Sequence, residues 1–376
     1  MGQFKEAAEQ LKPLAEKQSD DQLIYLLDYA MALHLAGEYQ ESNRALLMAD
    51  KLSEMQDYHS ISNIAGSLIV SEEMLQYHGE DFERMMINAY LAINFLMMGD
   101  LDSARVEARR MNEKLSKFRE DGDKEFADSP FATYLSALIW EAGRNYDDAY
   151  IDYEATYKLA PNYAPLREDL IRSAGNAKRY ESKEQWQSRF REVKEKASWK
   201  SKVYGELIVI YEQGWGPRKE PMPDSPRFPK LYSTYNQTQQ LQVEVKREGT
   251  FKTDTIYNVE QVAIRSLDSK YGKLAAKKIG ALATKAVVAD QIRQKYGALG
   301  DVAWIAMNVS DRADLRHWST LPQTLQIVRI PLPEGKYTIN LQGLSSSGAQ
   351  TNDSKSDIEV HIKGGQKTFY NWRSLR

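Results

Sequence analysis

Cysteine is missing from all 376 residues, which excludes disulfides, thiolate metal ligands and a cysteine nucleophile. Histidine is scarce: the five copies stand at 34, 59, 78, 317 and 361, and no pair has the His-x3-His or His-Glu-x-x-His spacing of a zinc site. Missing too are the Gly-x-x-x-x-Gly-Lys-Ser/Thr phosphate loop, the Gly-x-Ser-x-Gly elbow and the Gly-x-Gly-x-x-Gly fingerprint. The sequence therefore offers no catalytic, cofactor-binding or metal-ligating residue, and no cofactor is expected. No apolar run reaches the roughly 18 residues of a membrane span. The first residues have neither the basic nor the apolar region of a signal peptide. Instead Gly2-Gln3-Phe4-Lys5-Glu6-Ala7 reads as the middle of a helical hairpin, as if a helix before it were cut away.

What the chain has in quantity is helix punctuation. The stretch from Ser136 to Pro161 carries an apolar helix to Ala142, a turn opened by Gly143, and a second helix from Tyr146 that Pro161 closes. Tyr146, Ala149, Tyr153 and Thr156 share one face of that second helix, where small Ala149 lets two helices approach closely. This is the second half of a tetratricopeptide-type (TPR) hairpin. The same turn stands at Gly37-Glu38-Tyr39, with Ser42, Leu46 and Ala49 after it, and at Gly99-Asp100-Leu101, with Ala104, Ala108 and Met111. It also stands at Gly2-Gln3-Phe4, ahead of Ala7, Leu11 and Leu14. In the Gly143 copy one extra residue separates the glycine from the aromatic. Ala7, Ala104 and Ala149 are the expected close helix contacts. The methionines 85, 86, 97 and 98 read as packing between stacked helices.

The character changes near residue 198. Gly205-Glu206-Leu207-Ile208-Val209-Ile210-Tyr211 is a short strand whose continuity predicts burial on both faces. Pro221, Pro223, Pro226 and Pro229 then predict an extended, ordered loop rather than regular structure. Leu241–Lys246 alternates as a half-buried strand, and residues 258–296 read as a helix with eight Lys/Arg against two Asp between Arg265 and Lys295. Thr324–Ile330, Lys336–Leu341 and Asp357–Lys363 alternate as strands, and Gly343–Ser356 reads as a flexible loop. The expected fold is α+β: a TPR-like α-solenoid over 1–197, then an α/β module over 198–376 that ends in an antiparallel sheet.

Charge divides along the same line. Met1 to Ala197 holds 24 Lys+Arg against 36 Asp+Glu, and Ser198 to Arg376 holds 26 against 17. Either the basic half meets an external polyanion such as lipid head groups, or the two halves attract each other. In the second case Trp186, Trp199 and Trp215 are the natural apolar seam. Two constellations stand out. Glu212, Gly214, Trp215 and Pro217 leave the strand, where the Trp either anchors a partner or caps the core. Asp314, Arg316 and Trp318 lie in Asp311–Pro322, where Asp314, Arg316 and His317 either act as an acid–base group or brace a turn beside a core Trp.

Glu206-Leu207-Ile208-Val209-Ile210-Tyr211-Glu212-Gln213-Gly214-x-x-Pro217 and Arg312-Ala313-Asp314-Leu315-Arg316-x-Trp318-x-Thr320-Leu321-Pro322 together resemble the signatures of a family of TPR-containing envelope lipoproteins of Gram-negative bacteria. Tyr77–Arg84 and Ala104–Glu107 resemble its helical half. The resemblance implies a lipid-anchored protein of the periplasm and outer membrane. Its relatives are often encoded near a lipoprotein that activates penicillin-binding proteins. The chain departs from the family in lacking the signal peptide and the lipobox cysteine. Together the repeats and the resemblance imply a non-catalytic scaffold binding a protein or peptide of the cell envelope, with no nucleic-acid partner. The competing readings are an enzyme with its site near Asp314–Trp318 and a structural part of a flagellar or secretion apparatus.

Overall fold

The computed structural model describes residues 3–60, 76–120, 128–272, 274 and 312–375. Its first half is helical: α1 (Phe4–Glu16), α2 (Gln22–Leu35), α3 (Tyr39–Ser60), α4 (Asp81–Met97), α5 (Leu101–Glu120), α6 (Pro130–Ala142), α7 (Tyr146–Leu159), α8 (Leu166–Asn176) and α9 (Tyr180–Arg189). Each helix packs chiefly on its neighbours in sequence. The expected face of α3 is buried at Ser42, Leu46 and Ala49, as are Ala104, Ala108 and Met111 in α5 and Ala149, Tyr153 and Thr156 in α7. In α1 the expected Ala7–Leu11–Leu14 face is instead rotated by one residue: Ala8 and Ala15 are buried and Leu14 is exposed. The proposed Gly2 turn lies outside the described residues. Helix α4 is buried without a break from Phe82 to Asn94, as expected of a helix enclosed by others.

Four turns between these helices are built alike. Residues 37, 99, 144 and 178 adopt left-handed φ between 60° and 80°. After each, the next N–H reaches back five residues: Glu38 to Leu33, Asp100 to Phe95, Asn145 to Trp140 and Arg179 to Ala174. This is the Schellman end of a helix. It corrects the expected insertion after Gly143, because Arg144 itself takes the left-handed position and Gly143 has an ordinary φ of −78°. The Lys178 turn has no glycine at the left-handed position and adds a fourth copy to the set.

The second half begins with β1 (Tyr204–Gln213) and continues through β2 (Arg218–Met222), β3 (Ser225–Tyr232), β4 (Gln240–Val245), β5 (Gly249–Lys252) and β6 (Asp254–Asn258). A helix, α10, succeeds them over 259–272. Beyond residue 272 the expected basic helix falls almost wholly outside the described residues. The chain resumes with β7 (Thr324–Pro333), β8 (Gly335–Leu344), β9 (Gln350–Ile362) and β10 (Lys367–Ser374). Strands β10, β1, β7 and β6 form one sheet, and β5, β4, β8 and β9 a second. Pairing is antiparallel throughout, except that β10 runs parallel to β1.

Two further expectations are corrected. The proline-rich segment is a hairpin of β2 with β3, in which Pro221 faces Pro229. In a two-strand ribbon both strands are edges, so a residue without an N–H can sit where that N–H would point outward. Pro223 is in the turn. The Ser/Gly/Asn-rich stretch 343–356 is mostly strand: β8 runs on to Leu344 and β9 starts at Gln350. As the sheet's edge, β9 is solvated over much of its length, so a polar sequence suits it.

Strand β1 lies in the middle of three layers. Leu207, Val209 and Tyr211 pack toward the second sheet with Val243, Ile330 and Leu341. Ile208 and Ile210 join the helical core with Met86, Tyr90, Leu325 and Trp318. The apolar core thus runs through the change from helices to strands. Of the expected seam, Trp186 and Trp199 both pack on the shared core, Trp186 against Tyr157 and Phe190 of the helical half, and Trp215 lies outside it. The buried seam tryptophan is Trp318, against Tyr90 of α4. Among the described residues no helix is long and apolar enough to cross a membrane.

Candidate functional site

Side chains on a strand alternate between faces. On the helix-facing side of β1 this places Glu206, Ile208, Ile210 and Glu212 in a row, with roughly 20 Å of strand between the two glutamates. Each glutamate fastens the sheet to the helices.

Glu212 is fully buried. Its Oε1 accepts from His34 Nε2 at 2.8 Å and Asn371 Nδ2 at 2.7 Å, and its Oε2 accepts from the Tyr90 hydroxyl at 2.8 Å. The guanidinium of Arg373 lies 3.7 Å from Oε2. Burial alone would raise the Glu212 pKa, but His34, Arg373 and Asn371 outweigh it and hold the carboxyl at about 2. The other nitrogen of His34 meets Asn94 Oδ1 at 2.5 Å. Asn94 uses its amide N–H groups on Ser42 and Asn43, so its oxygen faces the ring. Asn371 Nδ2 also stands 2.9 Å from His34 Nε2, so the ring is held at both of its nitrogens.

At the far end of the row six charges close into an alternating ring. Glu206 binds Arg329 at 2.7 Å and Lys367 at 2.5 Å. Arg329 binds Asp169 at 2.7 Å, Asp169 binds Arg172 at 2.7 Å, Arg172 binds Glu141 at 3.1 Å, and Lys367 binds Glu141 at 3.2 Å. Tyr134 donates to Asp169 and Tyr153 to Glu141. Burial opposes the ionised state of both glutamates, yet Arg172, Lys367 and Arg329 keep their carboxyls well below the usual range. Isolated, any of these charges would be costly to bury; in the ring each has partners on two sides.

The residues singled out in the sequence gather around the Glu212 end. Gly214 takes φ +62°, and a Cβ there would stand 2.3 Å from Asn236 Cγ. The Trp215 N–H donates to Asn236 Oδ1 at 2.8 Å, and its indole donates to the Leu375 carbonyl at 3.2 Å beneath Arg373. Pro217 is buried and its carbonyl accepts from His317 Nε2 at 3.2 Å. Asp314 receives Nε and Nη2 of Arg316 at 2.9 and 2.8 Å, and Arg316 extends to Asp21 at 3.1 Å. Trp318 donates its backbone N–H to Glu83 Oε1 at 2.7 Å, and Glu83 also accepts from Tyr77. Asp314 and Arg316 thus brace the segment while Trp318 fills the core.

The sequence alone does not single out His34, Tyr90, Glu141, Asp169, Arg172, Arg329 or Lys367. One signal is present in it: two glutamates of the same parity end an otherwise apolar, doubly buried strand. Among the described residues no group of three or more His, Asp or Glu side chains is placed to hold a metal ion. No family model, no curated protein and no solved structure matches this chain.

Proposed function

We propose that this protein is a non-catalytic scaffold that presents the surface of a TPR-like helical array to a protein or peptide partner of the cell envelope. The observation that carries the reading is where the conspicuous residues are used. Glu212, Gly214, Trp215, Pro217, Asp314, Arg316 and Trp318 hold one another, the neighbouring loops and the helical half. Their bonding groups serve the joint between helices and sheets, which suits a rigid platform. The four like-built helix turns support the repeat character of the array. Periplasmic location and a lipid anchor belong to the same proposal and rest on the family resemblance. The test is fractionation of native envelopes carrying the full-length gene product, then cross-linking and pull-down. A stoichiometric envelope partner whose cross-links map to the helical half is the expected result. Recovery in the cytosolic fraction, or no cross-linked partner, overturns the reading.

A further inference from the structure

Strand β10 is an outer strand of the first sheet. Its register against β1 is unbroken from Lys367 to Ser374, and it contains no proline. The other outer strands of the two four-stranded sheets are blunted: β5 has four residues, the β6–β7 pairing is bulged between Thr255 and Tyr257, and the β8–β9 pairing shifts register twice. Short strands, bulges and prolines keep an edge from pairing with another chain, and β10 has none of them. We infer that the outer edge of β10 binds an extended segment of a partner polypeptide as an added strand. Strand addition is a contact separate from the helical array, so its failure leaves the scaffold reading standing.

The backbone defines the site. The Glu206 N–H donates to the Gln366 carbonyl at 3.0 Å and the Gly214 N–H to the Ser374 carbonyl at 3.1 Å. With the register unbroken between them, the even-numbered residues of β10 turn their backbone groups to β1 and the odd-numbered ones turn theirs away. At one end the fold itself closes this outward row. The Leu375 carbonyl, of the same parity, accepts from the Trp215 indole at 3.2 Å, and Arg373 is buried. Lys367, Phe369 and Asn371 are partly exposed, and their backbone N–H and carbonyl groups meet no partner among the described residues. They span roughly 13 Å, the reach of about five extended residues. Alternating donors and acceptors at strand spacing are matched by another extended backbone.

Lys355 sets a preference among such segments. Its ammonium lies 5.6 Å from the centroid of the Tyr370 ring, its side chain is exposed, and it has no ion pair among the described residues. Asp353 and Asp357, two residues to either side, are engaged by Thr238 and Lys246. Tyr370 belongs to the face of β10 turned to the second sheet. A carboxylate on that face of the added strand, beside Tyr370, therefore meets an uncommitted cation.

The test is residue-resolved amide exchange of the whole chain by nuclear magnetic resonance, with an acetylated Thr-Val-Thr-Glu-Val-Thr-Val peptide as probe. In the free chain the amides of Lys367, Phe369 and Asn371 should exchange faster than those of Thr368, Tyr370 and Trp372. Saturating peptide should slow the first three by at least about tenfold and leave the others unchanged. Replacing the peptide's Glu by Lys should weaken binding by up to about fivefold, and Lys355→Ala should abolish that difference. Odd-numbered amides already as protected as the even-numbered ones in the free chain overturn the inference, because the edge is then covered. It is equally overturned if the peptide leaves their exchange unchanged up to its solubility, or if a peptide N-methylated at alternate residues protects them as well. Protection that grows with the concentration of the chain and not with that of the peptide also overturns it, in favour of a second copy.

Discussion

Arg144 and Lys178 hold left-handed backbone at φ 62° and 60°, a region costing a residue with a Cβ on the order of 1 kcal/mol. Both side chains are exposed, and neither takes part in a side-chain hydrogen bond or ion pair among the described residues. Arg144→Gly and Lys178→Gly should each stabilise the fold by about 0.5–1 kcal/mol, measured by urea unfolding. Gly37→Ala should destabilise by a similar amount: its φ is +80°, although a Cβ there meets nothing within 4 Å. Asp152 offers a pH test. Burial outweighs its bonds from Ser136 and Asn112 and raises its pKa from 3.8 to about 6. The folded state then binds the proton more readily than the unfolded state, so ionising Asp152 lowers stability as pH rises from about 4 to 6. The stability of Asp152→Asn relative to the natural chain should therefore rise by up to about 3 kcal/mol between pH 4 and pH 7. A difference that stays flat over that interval would refute the assignment.

At the scale of elements, legibility tracks chemical uniqueness. Gly37 and Gly99 reveal their turns because glycine is the residue that takes positive φ freely. The turns at Arg144 and Lys178 use the same backbone without it, so Arg144 reads as an insertion and Lys178 gives no sign of its turn. Strand β1 is legible because a continuous apolar run has to be buried on both faces. The β2–β3 hairpin is hidden by its prolines, and β9 by a polarity that an edge strand tolerates. Lys219 Nζ bonds the Arg316 carbonyl at 3.0 Å and the Tyr271 hydroxyl bonds the Pro229 carbonyl, tying the hairpin down. Limited proteolysis should consequently spare residues 221–229 and cut elsewhere first. Ala149 has no exposed surface, and Ala149→Leu should overpack the α6–α7 pair by about 1–3 kcal/mol in thermal or chemical unfolding.

At the scale of the molecule, the opposed charges of the two halves meet inside rather than across a solvated gap. Arg329 and Lys367 of the basic half bond Glu141 of the acidic half, and Lys270 of α10 pairs with Glu80. Glu206 and Glu212 are visible in the sequence but their role is not, because their helical partners come from distant segments: His34 is 178 positions from Glu212. Removing one charge from such a buried set leaves the others uncompensated. Glu212→Gln should destabilise by about 3–5 kcal/mol in chemical unfolding. The sign of its pH dependence comes from a carboxyl lowered from 4.5 to about 2. Its stabilisation is complete above pH 4.5 and is lost as pH falls toward 2. Acid unfolding of the natural chain should therefore steepen in that window, and Glu212→Gln should lose that portion of the slope.

The parallel strand β10 also bears on how the chain is made. It delivers Lys367 to the ring and Asn371 and Arg373 to Glu212, and its Ser374 bonds Tyr211, 163 residues earlier. During synthesis the helices and β1 emerge from the ribosome well before these partners do. Until β10 arrives, the carboxylates of β1 lack part of their counter-charge and one edge of β1 is unpaired. The nascent chain therefore passes through a long interval in which the middle layer's last partners are not yet made. A ribosome that stalls before residue 367 would release a product exposed to chaperones and proteases.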